Sequence, residues 1–361
     1  MAFNLTMKSK TAEATVSLTT DFLMQYLSLA RNIVVKRTTI PILRYVRLVS
    51  KNGEGFLRVT DTDCFVEMSF TARGSGDIDV AVEHSAFLDL VSKAPKGLLL
   101  IEREGMKLTF KMNCTDCGHI LGVSGMDCPS LITPPHVAEM TLSDFDARFV
   151  DKYVSPLCIE DKDYLGLRGI LMEVAPDCKY GFISTDRNML ISTKILDPIE
   201  RYILPTVAFK MVAEYGKESK IYVGSDYYRI VSGNLSVYGS YVDGVFPDYH
   251  RLIYTDYGHE HKVNVGMLRN ELNRLLTVVE HTKTGICPVM LTYDNEYIGV
   301  KEVPDDYEFD KGGIKMDAMR IVELLQRFDD NSTVAFKSFH ELSKPTMWID
   351  SRGTTLFMPL R

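Results

Sequence analysis

The segment DGVFPDYHRLI, residues 243–253, lies about two thirds of the way along a chain of 361 residues. It opens with Asp243-Gly244, a pair that accepts the positive φ angles of tight turns. Pro247 disfavours the helical conformation at Phe246, so the segment does not continue a helix. These features predict a connector between two packed domains, and residues 243–253 are called the connector below.

The rest of the chain repeats one order of elements, which is a helix, strands, a second helix and further strands. Apolar residues at helical spacing predict helices at 20–35, 83–93, 143–157, 205–215, from 263 onward and at 315–328. Alternating apolar and polar residues predict strands between them. Three units of about 120 residues follow from this periodicity. We therefore expect an α+β fold with domains at 1–130, 131–250 and 251–361, each with two helices packed on antiparallel sheets.

The helix predicted at 143–157 shows how each repeat is expected to bury its helices. Its apolar side chains fall on one face at helical spacing. They are Phe145, Phe149, Val150, Tyr153 and Val154. We expect this face to pack against a sheet.

Composition and charge limit the class of protein. Hydrophobic residues make up 45% and charged residues 25%, which is ordinary for a globular protein with real cores. No apolar run reaches the roughly 18 residues of a membrane span, and MAFNLTMKSK has no signal-peptide pattern, so the sequence predicts a cytoplasmic protein. The net charge of −7 argues against binding nucleic acid through a generally basic surface.

The sequence offers little support for catalysis or metal binding. The seven cysteines are scattered, which argues against a disulfide framework. Cys114, Cys117, His119 and Cys128 have the spacing closest to a metal site, but a second ligand pair is absent. There is no phosphate-binding glycine loop and no nucleophile elbow. The alternatives are a zinc or redox site and cysteines placed by chance in a hairpin, and we favour the second.

Two Thr-Asp pairs admit two interpretations. Thr60-Asp61 and Thr185-Asp186 stand at equivalent places in the first two repeats. Paired carboxylates could serve catalysis. Because they recur in equivalent positions, we favour turns fixed by hydrogen bonds from backbone amides to the Asp side chain.

Six motifs carry a resemblance to a known family. They are KRTTIPIL (36–43), LRVTDTD (57–63), GLRGILMEV (166–174), FISTDRNML (182–190), the connector and LFMPLR (356–361). In this order they resemble the bacterial sliding clamps, the beta subunits of DNA polymerase III. The resemblance implies a non-catalytic, cofactor-free processivity factor for DNA replication, located in the cytoplasm with the nucleoid. Each chain would form half of a six-domain ring.

The resemblance also implies how DNA is held. Two chains would join head to tail as a homodimer around double-stranded DNA, with helices lining the hole and sheets forming the outer wall. Loose contacts from Lys and Arg to phosphates would then suffice, because a ring stays on DNA by topology. The DNA-facing candidates are cations on helix faces or at helix ends: Arg31, Lys36, Arg37, Lys93, Lys96, Arg148, Lys152, Lys162, Lys210, Lys217, Arg269 and Arg274.

A second implied surface is a pocket that binds short apolar peptides of the polymerase, the clamp loader and other replication or repair proteins. It would lie between the middle and last repeats, and methionine there would suit several related peptides. Motif matching assigns Leu167, Gly169, Thr185, Arg187, Leu190, Pro247, Arg251, Leu252, Pro345, Leu356, Met358, Pro359, Leu360 and Arg361 to it. The alternative for Leu167 and Leu190, taken alone, is ordinary core packing at a domain junction.

The chain departs from the family pattern at several places. Thr206-Val207 replaces a basic pair, and Asp161 stands near a position that is usually polar and faces DNA. Arg187-Asn188-Met189 replaces Gly-His-Arg in the pocket motif. This last change supports one alternative, a divergent clamp paralogue that serves a specialised polymerase.

Overall fold

The computed structural model describes residues 12–35, 38–113, 115–130, 138–160, 163–277, 286–293, 298–303, 313–339 and 344–360. Within these ranges, helices and antiparallel strands form the α+β fold predicted from the sequence. No helix in the described ranges is long and apolar enough to cross a membrane.

The strands are numbered in chain order. They are β1 Ala14–Thr19, β2 Tyr45–Lys51, β3 Glu54–Thr60, β4 Cys64–Thr71, β5 Arg73–Ser75, β6 Ile78–Glu83, β7 Leu98–Glu104, β8 Lys107–Met112, β9 Thr115–Leu121, β10 Val123–Ser124, β11 Ala138–Leu142, β12 Gly169–Val174, β13 Tyr180–Thr185, β14 Met189–Ser192, β15 Glu200–Pro205, β16 Ser219–Val223, β17 Tyr227–Ser232, β18 Leu235–Ser240, β19 His259–Asn264, β20 Pro288–Tyr293, β21 Ile298–Glu302, β22 Gly313–Asp317, β23 Thr333–Ser338, β24 Thr346–Asp350 and β25 Gly353–Phe357.

The helices are numbered in the same way. They are α1 Thr20–Ala30, α2 His84–Lys93, α3 Asp144–Phe149, α4 Thr206–Tyr215, α5 Val265–Leu275 and α6 Ala318–Leu325. Short 3-10 turns at Leu165–Arg168 and Tyr249–Leu252 lie close to two of the sequence motifs.

The chain forms two compact units. Unit 1 comprises Met1–Arg148 and Val207–Tyr241, and unit 2 comprises Phe149–Thr206 and Val242–Arg361. Unit 1 contains a nine-stranded sheet in the order β10-β6-β2-β3-β4-β18-β17-β16-β11 and a five-stranded sheet in the order β5-β1-β7-β8-β9. Unit 2 contains an eight-stranded sheet in the order β15-β12-β13-β14-β25-β24-β23-β19 and a three-stranded sheet in the order β21-β20-β22.

The large sheet of unit 1 is continuous because β4 pairs with β18. Val66 lies opposite Val237 in this antiparallel register. A Cβ atom at Gly239 would stand 2.0 Å from the carbonyl oxygen of Asp63, so this crossing needs glycine. Each strand covers the other's edge, which would otherwise expose unpaired amides.

Helix α1 begins at a side-chain cap and ends over the core. Thr19 accepts a hydrogen bond from the amide of Phe22 at 3.2 Å, which satisfies one of the free N–H groups of the first turn. Leu23 and Leu27 are buried, and the Tyr26 hydroxyl donates to the carbonyl of Val66 at 3.0 Å. The helix is thus fixed to strand β4 by both apolar and polar contacts.

His84, the first residue of α2, links this helix to α1. It is buried, and its Nε2 atom lies 2.8 Å from the carbonyl oxygen of Leu27. A carbonyl only accepts, so Nε2 carries the proton. Burial lowers the pKa of His84, the Leu27 carbonyl raises it in part, and Arg31 lowers it further.

The core of unit 2 is built around aromatic and aliphatic side chains. Trp348 is fully buried on β24, and its ring stands 4.8 Å from that of Phe336 in an edge-to-face arrangement. Burying an aromatic side chain of this kind contributes roughly 2–3 kcal/mol. Trp348 is the one tryptophan in the sequence, so its fluorescence reports on unit 2.

The helix predicted at 143–157 is confirmed in extent and in most of its buried face, since Phe149, Val150 and Val154 are buried. Helix α3 continues as one π turn, Val150–Val154, and one 3-10 turn, Ser155–Leu157. A π turn holds an extra residue, so the faces before and after it do not line up. Phe145, also predicted on that face, is 59% exposed, whereas Ala147, which was not predicted there, is buried.

The helices predicted from 263 and at 315–328 both begin later than expected. Residues 263–264 end strand β19, and residues 315–317 end strand β22, which pairs with β20. In each case the last strand residue caps the helix. Asn264 accepts from the amide of Met267 at 2.9 Å, and Asp317 accepts from the amide of Met319 at 3.2 Å.

The division into three repeats stays a prediction. Each predicted domain contains two of the six helices in the described ranges. The two compact units nevertheless divide the middle third between them, because its strands complete the large sheets of both.

We expect the stability of unit 1 to fall between pH 7 and pH 5 because of His84. Below about pH 6.5 the unfolded chain takes up a proton that the buried ring resists, so the free energy of unfolding decreases as the pH falls. Urea unfolding of the His84→Gln variant, followed by circular dichroism, should show a weaker decrease. The control is His119→Gln, since His119 is exposed, and this variant should keep the wild-type pH dependence. An equal decrease in the wild type and His84→Gln would contradict the assignment.

Candidate functional site

The Thr185-Asp186 pair fixes the turn between β13 and β14. Asp186 accepts hydrogen bonds from the amides of Asn188 at 2.9 Å and Met189 at 2.8 Å. Thr185 accepts from the amide of Arg187 at 3.0 Å and donates to the carbonyl of Met189 at 2.7 Å. The prediction that this pair fixes a turn is confirmed.

Unit 1 has the same turn between β3 and β4. Asp61 accepts from the amides of Asp63 at 3.2 Å and Cys64 at 2.8 Å, and Thr60 accepts from the amide of Thr62 at 2.9 Å. Burial raises the pKa of Asp61, and the backbone amides offset part of that increase. The two Thr-Asp pairs are therefore equivalent in structure as well as in sequence.

Arg187 occupies a backbone conformation that suits glycine. Its φ angle is +76°, in the left-handed region. The family motif has glycine at this place, so the substitution introduces strain of about 1–3 kcal/mol that the fixed turn must hold. The guanidinium lies 5.4 Å from the ring centre of Tyr164, and neighbouring Asp186 forms an ion pair with Arg320.

The C-terminal strand brings the last pocket motif to this turn. Strand β25 pairs with β14, so that Leu356 lies opposite Leu190. The amide of Met358 donates to the carbonyl of Asn188 at 3.0 Å. The amide of Leu360 donates to the carbonyl of Lys315 at 2.8 Å. Met358 is thus held against the Thr185-Asp186 turn, and Leu360 is held against strand β22.

Several predicted pocket residues belong to the core of unit 2. Leu167, Leu190 and Leu356 are between 1% and 5% exposed and pack in one cluster with Phe246 and Tyr249 of the connector. Thr185 and Pro345 are buried as well. These residues are the buried part of the predicted pocket set.

The remaining predicted pocket residues reach the surface of unit 2. Arg187, Pro247, Arg251 and Leu252 are exposed, Met358, Pro359 and Leu360 are half-buried, and Arg361 lies outside the described residues. The motif analysis did not include Tyr164, Leu165 and Val245, which are also exposed. Exposed tyrosine, leucine and valine side chains beside a core of leucines are typical of a surface that binds apolar peptide side chains.

Glycines allow the connector to approach the Leu165–Arg168 turn. A Cβ atom at Gly166 would stand 2.6 Å from the carbonyl oxygen of Val245. Gly244 has φ of +122°, and a Cβ atom there would stand 2.5 Å from the amide nitrogen of Gly166. Gly169, a predicted pocket residue, lets strands β12 and β15 pack closely, since its Cβ would stand 2.6 Å from Ile203.

The predicted DNA-facing cations of unit 1 are exposed. Arg31, Lys93, Lys96, Arg148, Lys210 and Lys217 all reach solvent. Lys93 forms an ion pair with Asp89 at 2.7 Å, Arg148 forms one with Asp144, and Lys217 lies 3.3 Å from the hydroxyl of Tyr215. Surface ion pairs of this type are weak, so phosphates can compete for these cations.

In unit 2 the predicted cations differ from one another. Lys152 and Arg274 are exposed. Arg269 is instead engaged at the end of α6, where it pairs with Asp330 and donates to the carbonyls of Leu325 at 2.6 Å and Phe328 at 3.2 Å. Lys36, Arg37 and Lys162 lie outside the described residues. The assignment of these side chains to DNA stays a prediction.

The cysteine cluster offers no support for metal or redox chemistry. Cys114 lies outside the described residues, and no group of three His, Cys, Asp or Glu side chains suited to a metal occurs among those that are described. Burial raises the pKa of Cys128 to about 11, which makes its thiol a poor nucleophile.

The sequence analysis also missed Glu173, which lies beside this site. It is a fully buried carboxylate on β12, bonded to the connector. The sequence feature that could have identified Glu173 is its position inside the apolar run GILMEV, because an isolated charge in a buried strand needs a buried partner.

Comparisons with known proteins identify the fold. No protein-family model matches the chain. The beta sliding clamp of Rickettsia bellii is 24% identical over 274 residues, which is 72% of this chain and 71% of that protein. A sliding clamp of Pseudomonas aeruginosa bound to griselimycin has a TM-score of 0.80 at 18% identity, covering 97% of this chain and 100% of its own. The Helicobacter pylori beta clamp bound to a DNA ligase peptide has a TM-score of 0.79 at 16% identity, covering 96% and 100%. The chain therefore has the clamp fold, and the resemblance found in its motifs is confirmed.

The two Thr-Asp turns give a matched pair of variants. Asp186→Ala removes the acceptor of the Met189 amide and should destabilise unit 2 by about 1–3 kcal/mol. Trp348 fluorescence during urea unfolding should therefore shift to a lower midpoint in this variant. Asp61→Ala, the same change in unit 1, should leave the midpoint of the Trp348 transition unchanged. Hydrogen exchange should show that unit 1 unfolds at a lower urea concentration in this variant. Equal shifts of the Trp348 unfolding midpoint in the two variants would contradict the expectation that each turn stabilises its own unit.

Proposed function

We propose that this chain is a DNA sliding clamp, a non-catalytic subunit that encircles double-stranded DNA and tethers a polymerase and other replication or repair proteins. The observation that carries the proposal is the clamp fold over 97% of the chain. Two copies would join head to tail and close a six-domain ring. Its location would be the cytoplasm, on the nucleoid.

The charges of the chain support holding DNA by enclosure. A net charge of −7 is unsuited to tight binding over a broad surface, whereas a ring needs only loose contacts to phosphate. Exposed Arg31, Lys96, Lys210 and Arg274 can supply such contacts. Sequence-independent contacts of this kind allow sliding.

The peptide site supports the tethering role. The connector contributes Phe246 and Tyr249 to the leucine core of unit 2, and the half-buried residues 358–360 follow Leu356 of that core in sequence. An apolar surface with a flexible methionine, Met358, suits short apolar peptides from several partners.

A second candidate is a divergent clamp paralogue for a specialised polymerase. The substituted turn at Arg187-Asn188-Met189 favours it, because the arginine stands at the first place of this motif instead of the third, which moves its charge beside the peptide site. A pull-down of native partners by the full chain and by a chain lacking residues 358–361 distinguishes the two candidates by the polymerase it recovers.

Topological binding is the first test. The protein is loaded on nicked circular DNA with a clamp loader and ATP, and the complex is isolated by gel filtration. Cutting the circle once should release the protein, because a ring slides off free ends. Cut DNA whose ends carry bound streptavidin is the control and should retain it. Equal retention on uncut circles and unblocked linear DNA would contradict the proposal.

Peptide docking is the second test. A chain lacking residues 358–361 should bind a fluorescent copy of the DNA ligase peptide at least tenfold more weakly, because the lost groups adjoin the leucine core. The measurement is fluorescence anisotropy. Met358→Ser should show a smaller loss, and Met126→Ser, which changes an exposed methionine in unit 1, should show none. Unchanged affinity in the shortened chain would show that the peptide site is assigned wrongly.

A further inference from the structure

Glu173 is a charged group in an apolar strand. Its side chain is 0% exposed. One carboxylate oxygen, Oε2, accepts from the hydroxyl of Tyr249 at 2.7 Å. The other, Oε1, lies 3.1 Å from Nε of Arg201 and 3.3 Å from Nε2 of His250. These four residues are called the Glu173 cluster.

A buried carboxylate is costly unless each oxygen has a partner. Arg201 provides one partner from within the sheet, since it lies directly opposite Glu173 in the pairing of β12 with β15. The other two partners come from the connector. Burial and the carboxylate both raise the pKa of Tyr249, so its hydroxyl stays protonated and donates. The connector therefore completes the partner set that makes burial of Glu173 tolerable.

The same contacts fix the position of the peptide-site residues in the connector. Tyr249 and His250 open the 3-10 turn Tyr249–Leu252, in which Arg251 and Leu252 are exposed. Arg251 is held further by an ion pair with Asp248 at 2.8 Å. Below the turn, the Tyr249 ring packs in the core cluster with Leu167 and Leu190. A short loop is thus anchored at its base while its exposed side chains face solvent.

We propose that Glu173 is a positioning residue for the peptide site, because it orders the connector before a partner peptide arrives. This inference rests on the proposed function. If the turn is already ordered in the free protein, binding does not have to pay the entropy cost of ordering it. Loss of this order therefore lowers the affinity for the peptide. Glu173 itself touches no peptide. It acts through Tyr249 and His250.

The experiment compares three variants of the full chain. Tyr249→Phe removes one hydroxyl and its bond to Glu173, and Glu173→Gln removes the charge at nearly constant shape. Tyr153→Phe is the matched control, because the Tyr153 hydroxyl also donates one bond in unit 2, to the carbonyl of Gln326 at 2.8 Å. Hydrogen exchange of residues 243–253 is measured by mass spectrometry. Affinity is measured for the fluorescent DNA ligase peptide and for griselimycin.

We expect both cluster variants to exchange faster in residues 243–253 and to bind the probes about tenfold more weakly. Tyr153→Phe should match the wild type in both measurements. If the wild type binds and the cluster variants bind equally well, Glu173 is not a positioning residue. If the wild type binds neither probe, the proposed peptide site fails, and exchange in residues 243–253 alone then decides whether Glu173 orders the connector. Unchanged exchange there overturns the inference in every case.

Discussion

The pairing of sequence-distant strands is the constraint on which the rest of the structure depends. In unit 1, β4 pairs with β18, and in unit 2, β14 pairs with β25. Each pairing joins two halves of a sheet and covers two strand edges that would otherwise be open to other chains. The pairing of β14 with β25 also places Leu190 beside Leu356 and brings Met358 to the Thr185-Asp186 turn. The proposed peptide site thus lies where the chain completes its own sheet.

Residues of the proposed peptide site also belong to the core of unit 2. Leu167 and Leu190 are core residues, as the alternative of ordinary core packing expected. They also pack against Phe246 and Tyr249 of the connector. Polar contacts add precision to that support. Asp186 fixes its turn by accepting two backbone amides, and buried Glu173 bonds to the connector. The proposed peptide site is therefore a surface whose shape is set by groups that a partner does not reach.

Much of this could be predicted from the sequence, because its signals are local. Helical spacing located all six helices within a few residues, and the recurrence of Thr-Asp predicted equivalent turns. The pairing β4–β18 could not be predicted. Residues of β18 are almost all buried, so the strand lacks the alternation that marks a half-exposed strand. The engagement of Arg269 depends on carbonyls 56 and 59 residues away in sequence. Such contacts leave no periodic signal.

The central claim is that one chain supplies half of a closed ring. In the proposed dimer the first domain of one chain contacts the last domain of the other. Contacts between unlike ends either close into a ring or grow into filaments, and two half rings would close. We expect the seam to join the strands around residues 107–120 to residues 275–297. Static light scattering at low micromolar concentration tests the claim most directly. The account predicts one species at twice the chain mass of 40.9 kDa, unchanged on moderate dilution. A species at 40.9 kDa, or a mass that keeps growing with concentration, would contradict it.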